Sequence, residues 1–404
     1  MKIKKKSLTM FFLTLPIFKP MCMGFFSVTS TLYFWLSILT WLYIVLNIIQ
    51  KRINISFMTQ LIVSLESIVF ISTLINHGSL RNSFDSVIAL TYVALLVNWC
   101  VEEKESSSMI ASMMLHLEIC TYVNLVTLLL KPDGFFSRAH NAYGRTQEWF
   151  LGSDHYFILW ALPAFLMAWI YREYTGKSFR SMMLIILTGV TQLIRGSTTG
   201  LIGVAIFFVW MLLPFIRKVL TPFRCVVLAG ILFVCIVYLQ SSDFLKPIIV
   251  GVLGKDMTYT NRLEIWDNSF KAILAKPLFG RGVLYNEQIV DLLGRLKNGF
   301  RWEGAVHCHC QYLEVGFKSG LVGLTLYITA IVSAFAKCKK SEYRRVAQAA
   351  TVCLFILCII SITEVYEYSR MYLLFILPYY LTEICYQLES EIIKKYNDTS
   401  GQEI

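Results

Sequence analysis

Residues 31–49 read TLYFWLSILTWLYIVLNII, without one charged side chain, and Gln50, Lys51 and Arg52 follow. Wound as a helix, such a run rises about 28 Å, close to the ~30 Å hydrocarbon core of a bilayer. The pattern recurs along the chain. Apolar blocks separated by charged clusters predict spans near 7–26, 31–49, 57–76, 83–100, 108–130, 154–171, 180–195, 197–216, 222–240, 312–336, 346–364 and 370–388. The first is interrupted by Lys19 and Pro20, with Lys19 placed to snorkel to an interface. Met1 to Lys6 is basic and lacks a small-residue cleavage site, which predicts an uncleaved first span. The fold class expected is an all-α polytopic integral membrane protein of about twelve transmembrane helices, a single membrane domain over 1–404.

Composition agrees. The chain is 56% hydrophobic and 16% charged, against about half and about a quarter for soluble domains. Its net charge of +11 is a topology signal, because cytoplasmic loops of membrane proteins concentrate Lys and Arg. With the N-terminus inside, the inner segments hold 20 basic residues and the short outer loops 6. Both termini are then cytoplasmic, in the cytoplasmic membrane, with a tail from 389 to 404. One outer loop, 241–311, is far longer than the rest and carries nine basic and seven acidic residues. A loop of that length with Trp266 and Trp302 is expected to fold as a partly helical cap with a function.

Several function classes drop out. No phosphate-binding Gly-rich loop and no dinucleotide fingerprint is present, so the protein is not itself an ATP-driven pump. No basic stripe interleaves with exposed aromatics, which argues against nucleic acid. Nine of the eleven cysteines lie in or beside apolar segments, where Cys acts as a small hydrophobe. The run His307-Cys308-His309-Cys310 invites a metal assignment. Four contiguous residues cannot all turn to one tetrahedral ion, and the usual second ligand pair is missing. A Cys308–Cys310 disulfide would be strained. No metal and no cofactor is expected.

Polar residues in apolar surroundings mark candidate sites. Glu66 and Glu118 fall mid-span, and either an interhelical hydrogen bond or a functional carboxyl accounts for them. Arg195 ends one span and opens the hairpin Gly196-Ser197-Thr198-Thr199-Gly200. In the long loop, Arg262 and Trp266 are four apart and share a helix face. They form either a stacked pair that staples the loop or a guanidinium presented to an anionic substrate. Pro277-Leu278-Phe279-Gly280-Arg281-Gly282 follows. Of the two histidines, one is expected to matter at the mouth of the next span, near Tyr312. Residues two apart do not face alike on a helix, so His307 and His309 should differ. Gly316, Gly320 and Gly323 predict close packing of that span on a neighbour.

In this order the motifs resemble the O-antigen ligase-like superfamily, which includes O-antigen ligases, Wzy-type polysaccharide polymerases and O-oligosaccharyltransferases. The shared pieces are the Arg-Gly-Ser-Thr hairpin, Arg262-Leu263-Glu264-Ile265-Trp266, Pro-Leu-Phe-Gly-Arg-Gly, His309-x-x-Tyr312-Leu313 and Gly320-Leu321-Val322-Gly323. The resemblance covers roughly residues 150–325, including the outer loop Phe150 to Phe157. The family usually has Asn after the histidine where this chain has Cys310. The resemblance implies Arg195, Arg262 and His309 as the catalytic trio, with Arg281, Tyr312, Trp266 and Glu364 binding substrate.

The function so implied is a metal-independent glycosyltransferase on the outer membrane face, most like a polymerase. It would transfer an oligosaccharide from a polyprenyl diphosphate carrier to a hydroxyl of another carrier-linked unit. Arginines suit the departing diphosphate, and a histidine suits the acceptor hydroxyl. Expected partners are the polyprenyl-diphosphate-linked oligosaccharide, membrane lipids, a chain-length regulator and a flippase. The alternatives are a ligase that passes the glycan to lipid A core or to protein, and a transporter of lipid-linked units. A transporter would show repeated halves and broken mid-membrane helices, and the sequence has neither signature.

Overall fold

The computed structural model describes residues 5–140, 144–239, 262–297 and 299–400. Residues 240–261, the first third of the long loop, lie outside the described residues, as do Lys2, Lys4 and 401–404. The chain is helical nearly throughout. The helices are α1 Lys5–Thr14, α2 Ser27–Lys51, α3 Phe57–Ile75, α4 Leu80–Glu102, α5 Ser106–Leu130, α6 Ile158–Thr175, α7 Ser178–Arg195 and α8 Thr198–Leu212. Then come α9 Pro214–Val219, α10 Pro222–Phe233, α11 Arg262–Ala275, α12 Asn286–Leu293, α13 Gln311–Lys340, α14 Arg344–Ile360, α15 Ser369–Tyr379 and α16 Leu381–Ser400. A two-stranded antiparallel hairpin, β1 Phe136–His140 and β2 Gly144–Glu148, joins α5 to α6.

Among the described residues five helices, α2, α3, α4, α5 and α13, are long and apolar enough to cross a membrane. The protein is a multi-pass membrane protein; the twelve expected segments differ in how continuous they are. The first is not one span: α1 gives way to two 3₁₀ turns, Leu15–Phe18 and Met21–Phe25, because Pro16 and Pro20 each remove a backbone donor. Pro214 divides the eighth into α8 and α9 in the same way. Past Pro378 the last segment breaks, and α16 runs on through 389–400, most of the stretch expected as a tail.

Burial explains the arrangement. Every residue of α6 from Ile158 to Tyr171 is buried, as expected of a helix that is apolar all round. It runs through the centre of a bundle with α5, α7, α14 and α15 against it. By contrast, α2 leaves Leu32, Trp35, Leu39, Leu46 and Ile49 more than half exposed. In water such a strip would be an aggregation surface; here it is the face that lipid covers. A second core forms over one end of the bundle, where α11, α12 and residues 294–297 and 299–310 enclose Ile265, Trp266, Leu293, Cys308 and Cys310. This is the expected partly helical cap.

Helix α13 is broken. Gly320 adopts φ 66°, ψ −166° inside it, a conformation open to glycine alone. The break strands backbone groups that apolar surroundings cannot satisfy. The segment 277–283 supplies their partners. Arg281 N–H donates to the Phe317 carbonyl and Gly282 N–H to the Lys318 carbonyl, both at 2.8 Å. The Pro277 carbonyl accepts from Leu321 N–H at 2.7 Å. A Cβ at Gly280 would lie 2.5 Å from the Gly320 nitrogen, and one at Gly320 only 2.2 Å from the Leu278 oxygen. The segment then turns onto the α3–α4 connection, where Val283 N–H meets Thr73 Oγ1 at 2.9 Å and Ser79 N–H meets the Val283 carbonyl at 2.7 Å. So Gly320 is not the helix-packing residue the spacing predicted. Gly316 and Gly323 keep that role, against Ile273 and Leu65.

Candidate functional site

The cap, the start of α13 and the α14–α15 connection meet in a charged cluster. Arg262 opens α11. Its Nη2 donates to Glu364 Oε1 at 2.9 Å and its Nη1 to the Thr363 carbonyl, so Arg262 and Glu364 form an ion pair, each side chain about one-fifth exposed. The connection that carries Glu364 is pinned to α13. Gln311 N–H reaches the Ser361 and Glu364 carbonyls at 2.9 and 3.1 Å, and Gln311 Oε1 accepts from Tyr366 N–H at 2.6 Å.

His307 and His309 sit beside this pair. The segment is not helical. It turns through a left-handed residue at His309, which brings both imidazoles together while Cys308 and Cys310 enter the cap core. The rings lie 4.0 Å apart, and His309 N–H donates to His307 Nδ1 at 3.1 Å. The expectation that the two histidines face differently fails, since it assumed helix at this point. His309 holds φ 50° and stacks on Trp302 at 5.7 Å and 17°. Neither of its ring nitrogens has a well-formed hydrogen bond, and both are buried; the Gly304 backbone lies close enough to act on the ring. Burial, His307 and Arg262 together hold the His309 imidazole well below its usual pKa, so it is neutral at pH 7. Burial also lowers His307, against the pull of Glu314 and Glu364. Both cysteines are free; burial pushes the Cys310 thiol up to about 12, so neither the nucleophile nor the thiolate ligand role suits it.

Below the histidines lies a group that sequence reasoning missed. Lys318 pairs with Glu314 at 2.9 Å and with Glu367. Glu314 Oε2 also accepts Cys308 N–H at 2.8 Å, tying the ion pair to the histidine segment. Glu66 of α3 lies within Coulomb range of Glu367 and Lys318. A signal was available: Glu314 and Lys318 are ionisable residues four apart within a predicted span, the same feature that singled out Glu66. Glu118, the other mid-span carboxylate, is structural. It takes a two-pronged bond from Arg180 of α7, which also reaches Tyr171 Oη at 3.1 Å.

The remaining predicted residues are placed as follows. Arg195 is exposed, donates to Gln147 Oε1 at 3.0 Å and covers the Trp149 ring at 5.5 Å. No described interaction joins it to Arg262 or His309. Its hairpin needs its glycines, since a Cβ at Gly196 would meet the Gln192 carbonyl at 2.3 Å. Trp266 is fully buried in the cap, so it has no face to present to a substrate. Nor does Arg262 stack on it, for that guanidinium turns to Glu364. Arg281 gives Nε to the Ala272 carbonyl at the end of α11, at 3.3 Å. Tyr312 is half-buried and donates its hydroxyl to the Cys358 carbonyl at 3.0 Å.

Residues 182–328 match the family model described as O-antigen ligase. The O-antigen ligase-like resemblance holds. The exopolysaccharide production protein ExoQ of Rhizobium meliloti (strain 1021) is 29% identical over 116 residues. That stretch is 27% of this chain and 25% of the relative's length, so the chain aligns with about a quarter of the curated relative it matches. The matched region includes Arg195, Arg262, His309 and Lys318; Glu364 and Glu367 lie beyond it. Both likenesses support an enzyme of the ligase or polymerase type tied to surface polysaccharide.

Proposed function

We propose that the protein is a polymerase that lengthens a surface polysaccharide on the outer face of the cytoplasmic membrane, joining oligosaccharides carried on polyprenyl diphosphate. The observation that carries this reading is the Arg262–Glu364 pair beside a neutral, buried His309, all at the cap end of the bundle. In the reaction an acceptor hydroxyl attacks the anomeric carbon, and the bond from that carbon to the diphosphate oxygen breaks. The carrier diphosphate leaves with the bonding electrons. Arg262 would meet the charge that develops there, its planar fork suited to phosphate oxygens. His309 would take the acceptor proton on the unprotonated nitrogen of its neutral ring, a lone pair that its depressed pKa keeps free at pH 7. Substrate entry on this reading displaces Glu364 from Arg262 and opens the Trp302–Gly304 segment over the imidazole. Arg195, at the same end of the bundle, would contribute a second cation if the hairpin moves toward the cap.

The test is reconstitution. Purified protein in vesicles, supplied with a polyprenyl-diphosphate-linked oligosaccharide, should yield a ladder of lipid-linked products, and Arg262→Lys should lose most of it. A single product formed only when lipid A core is added would replace polymerase by ligase, the activity for which the matching family is named. Vesicle-to-vesicle sidedness change of intact substrate without any product would make the protein a transporter.

A further inference from the structure

The bundle has a second polar concavity, at the end away from Arg262. Helix α14 fixes the separation: Arg345 stands at its start, while Glu364 follows its end, some 25 Å along a helix of this length. There a cavity of about 430 Å³ is lined by Trp169, Arg172, Glu173, Trp210, Arg217 and Arg345. Three guanidinium groups face one carboxylate. Arg217 is committed to closing α8, with Nε on the Trp210 carbonyl at 3.2 Å and Nη2 on the Met211 carbonyl. Arg345 reaches Glu173 only at 3.8 Å, its side chain 84% exposed. Arg172 is half-buried over the Trp169 ring at 5.3 Å, and among the described residues its guanidinium has no ion pair and no hydrogen bond. Arg172 and Arg345 thus bring positive charge to the cavity that Glu173 only partly offsets.

The surroundings say what neutralises it. Helix α8 has 15 residues, too few to span a bilayer core of about 20 residues' length, and it ends at Pro214 beside exposed Leu212 and Phe215. Trp169 and Trp210, both buried, pack together at 5.0 Å and form the apolar floor of the cavity. A basic cavity with an apolar floor, beside the exposed Leu212 and Phe215, suits a molecule with an anionic head and acyl chains. We propose that this cavity binds the headgroup of an anionic phospholipid, its phosphate held by Arg172 and Arg345 and its chains along α8 and α9. Basic residues near a membrane surface contribute about 1 kcal/mol each toward anionic lipid, which is about fivefold in affinity.

The proposal is independent of the reaction at the other end, and its test uses lipid retention rather than catalysis. Full-length protein in a neutral detergent is titrated with phosphatidylglycerol or phosphatidylcholine, and bound lipid is counted by native mass spectrometry. One phosphatidylglycerol should bind in preference to phosphatidylcholine, about fivefold more weakly in Arg172→Gln and roughly thirtyfold more weakly in Arg172→Gln/Arg345→Gln. Lys177→Gln, a basic residue outside the cavity, should leave it unchanged. If Arg172→Gln fails to fold, Arg345→Gln alone carries the same fivefold expectation. Equal retention of both lipids, or equal retention by all variants, overturns the proposal. So does competition by millimolar inorganic phosphate that depends on the same arginines, since the site would then take free anions.

Discussion

His309 and His307 act as one unit, which changes what their substitution should do. His307 Nδ1 accepts the His309 backbone N–H and so helps hold His309 at φ 50°, a conformation that costs of order 1–3 kcal/mol unless its surroundings enforce it. His309→Ala should reduce polymer formation by roughly 10²–10⁴-fold. His307→Ala should be intermediate, lowering the rate through position rather than proton transfer, with His307→Asn recovering part of it by restoring an acceptor. Equal, negligible losses in both variants would remove the histidines from the mechanism. The pH dependence follows with a definite sign. Both imidazoles titrate below the ordinary 6.5 when folded. The unfolded chain therefore binds more protons as pH falls, and the contribution of the pair to stability is complete above about pH 6.5 and is lost below it. Thermal unfolding of the wild type in micelles should fall between pH 7 and 5 more steeply than that of the double variant His307→Ala/His309→Ala. Parallel curves would mean that the rings are not held neutral.

At the scale of elements, the segment 277–283 and the break at Gly320 are a single device. Its residues stood out in the sequence as Pro-Leu-Phe-Gly-Arg-Gly and a glycine series, but the reading attached to the glycines was helix packing. Local spacing cannot distinguish a glycine that admits a neighbouring helix from one that breaks its own helix, because both need a missing Cβ. Only the distant partner, 277–283, decides. The same limit applies to the histidines, where a helix periodicity was carried one turn too far toward the cap, and to Lys318, whose partners Glu314 and Glu367 come from one near and one remote position. Long apolar helices, by contrast, were legible to within a few residues, since length and hydropathy are local: 57–76 is Phe57–Ile75 and 108–130 is Ser106–Leu130. Gly320→Ala should destabilise the protein by at least about 1–3 kcal/mol, read as a lower unfolding temperature, and should free 277–283 for proteolysis. Gly230→Ala, where a Cβ meets no atom within 4 Å, is the neutral control. A Gly320→Ala protein as stable as wild type would mean that α13 runs through unbroken.

For the whole molecule the open physical question is which end of the bundle faces which side. The distribution of basic residues bears on it: Arg172, Lys177, Arg217, Lys218 and the run from Lys337 to Arg345 all gather at the end away from the cap. By the positive-inside rule this distribution predicts the cap outside, the side on which the proposed reaction would take place. The protein suits cysteine labelling, because ten of its eleven native cysteines are buried and only Cys235 is partly exposed. Lys297→Cys places a thiol in the cap at a side chain 78% exposed, and Lys177→Cys places one at the opposite end, on a backbone stretch exposed between α6 and α7. In intact cells a membrane-impermeant maleimide should modify Lys297→Cys within minutes and leave Lys177→Cys untouched until the membrane is opened. The reverse pattern would turn the molecule over. Arg262 and His309 would then face the compartment that holds nucleotide sugars, and the outer-face polymerase reading would fail even with every contact in the site unchanged.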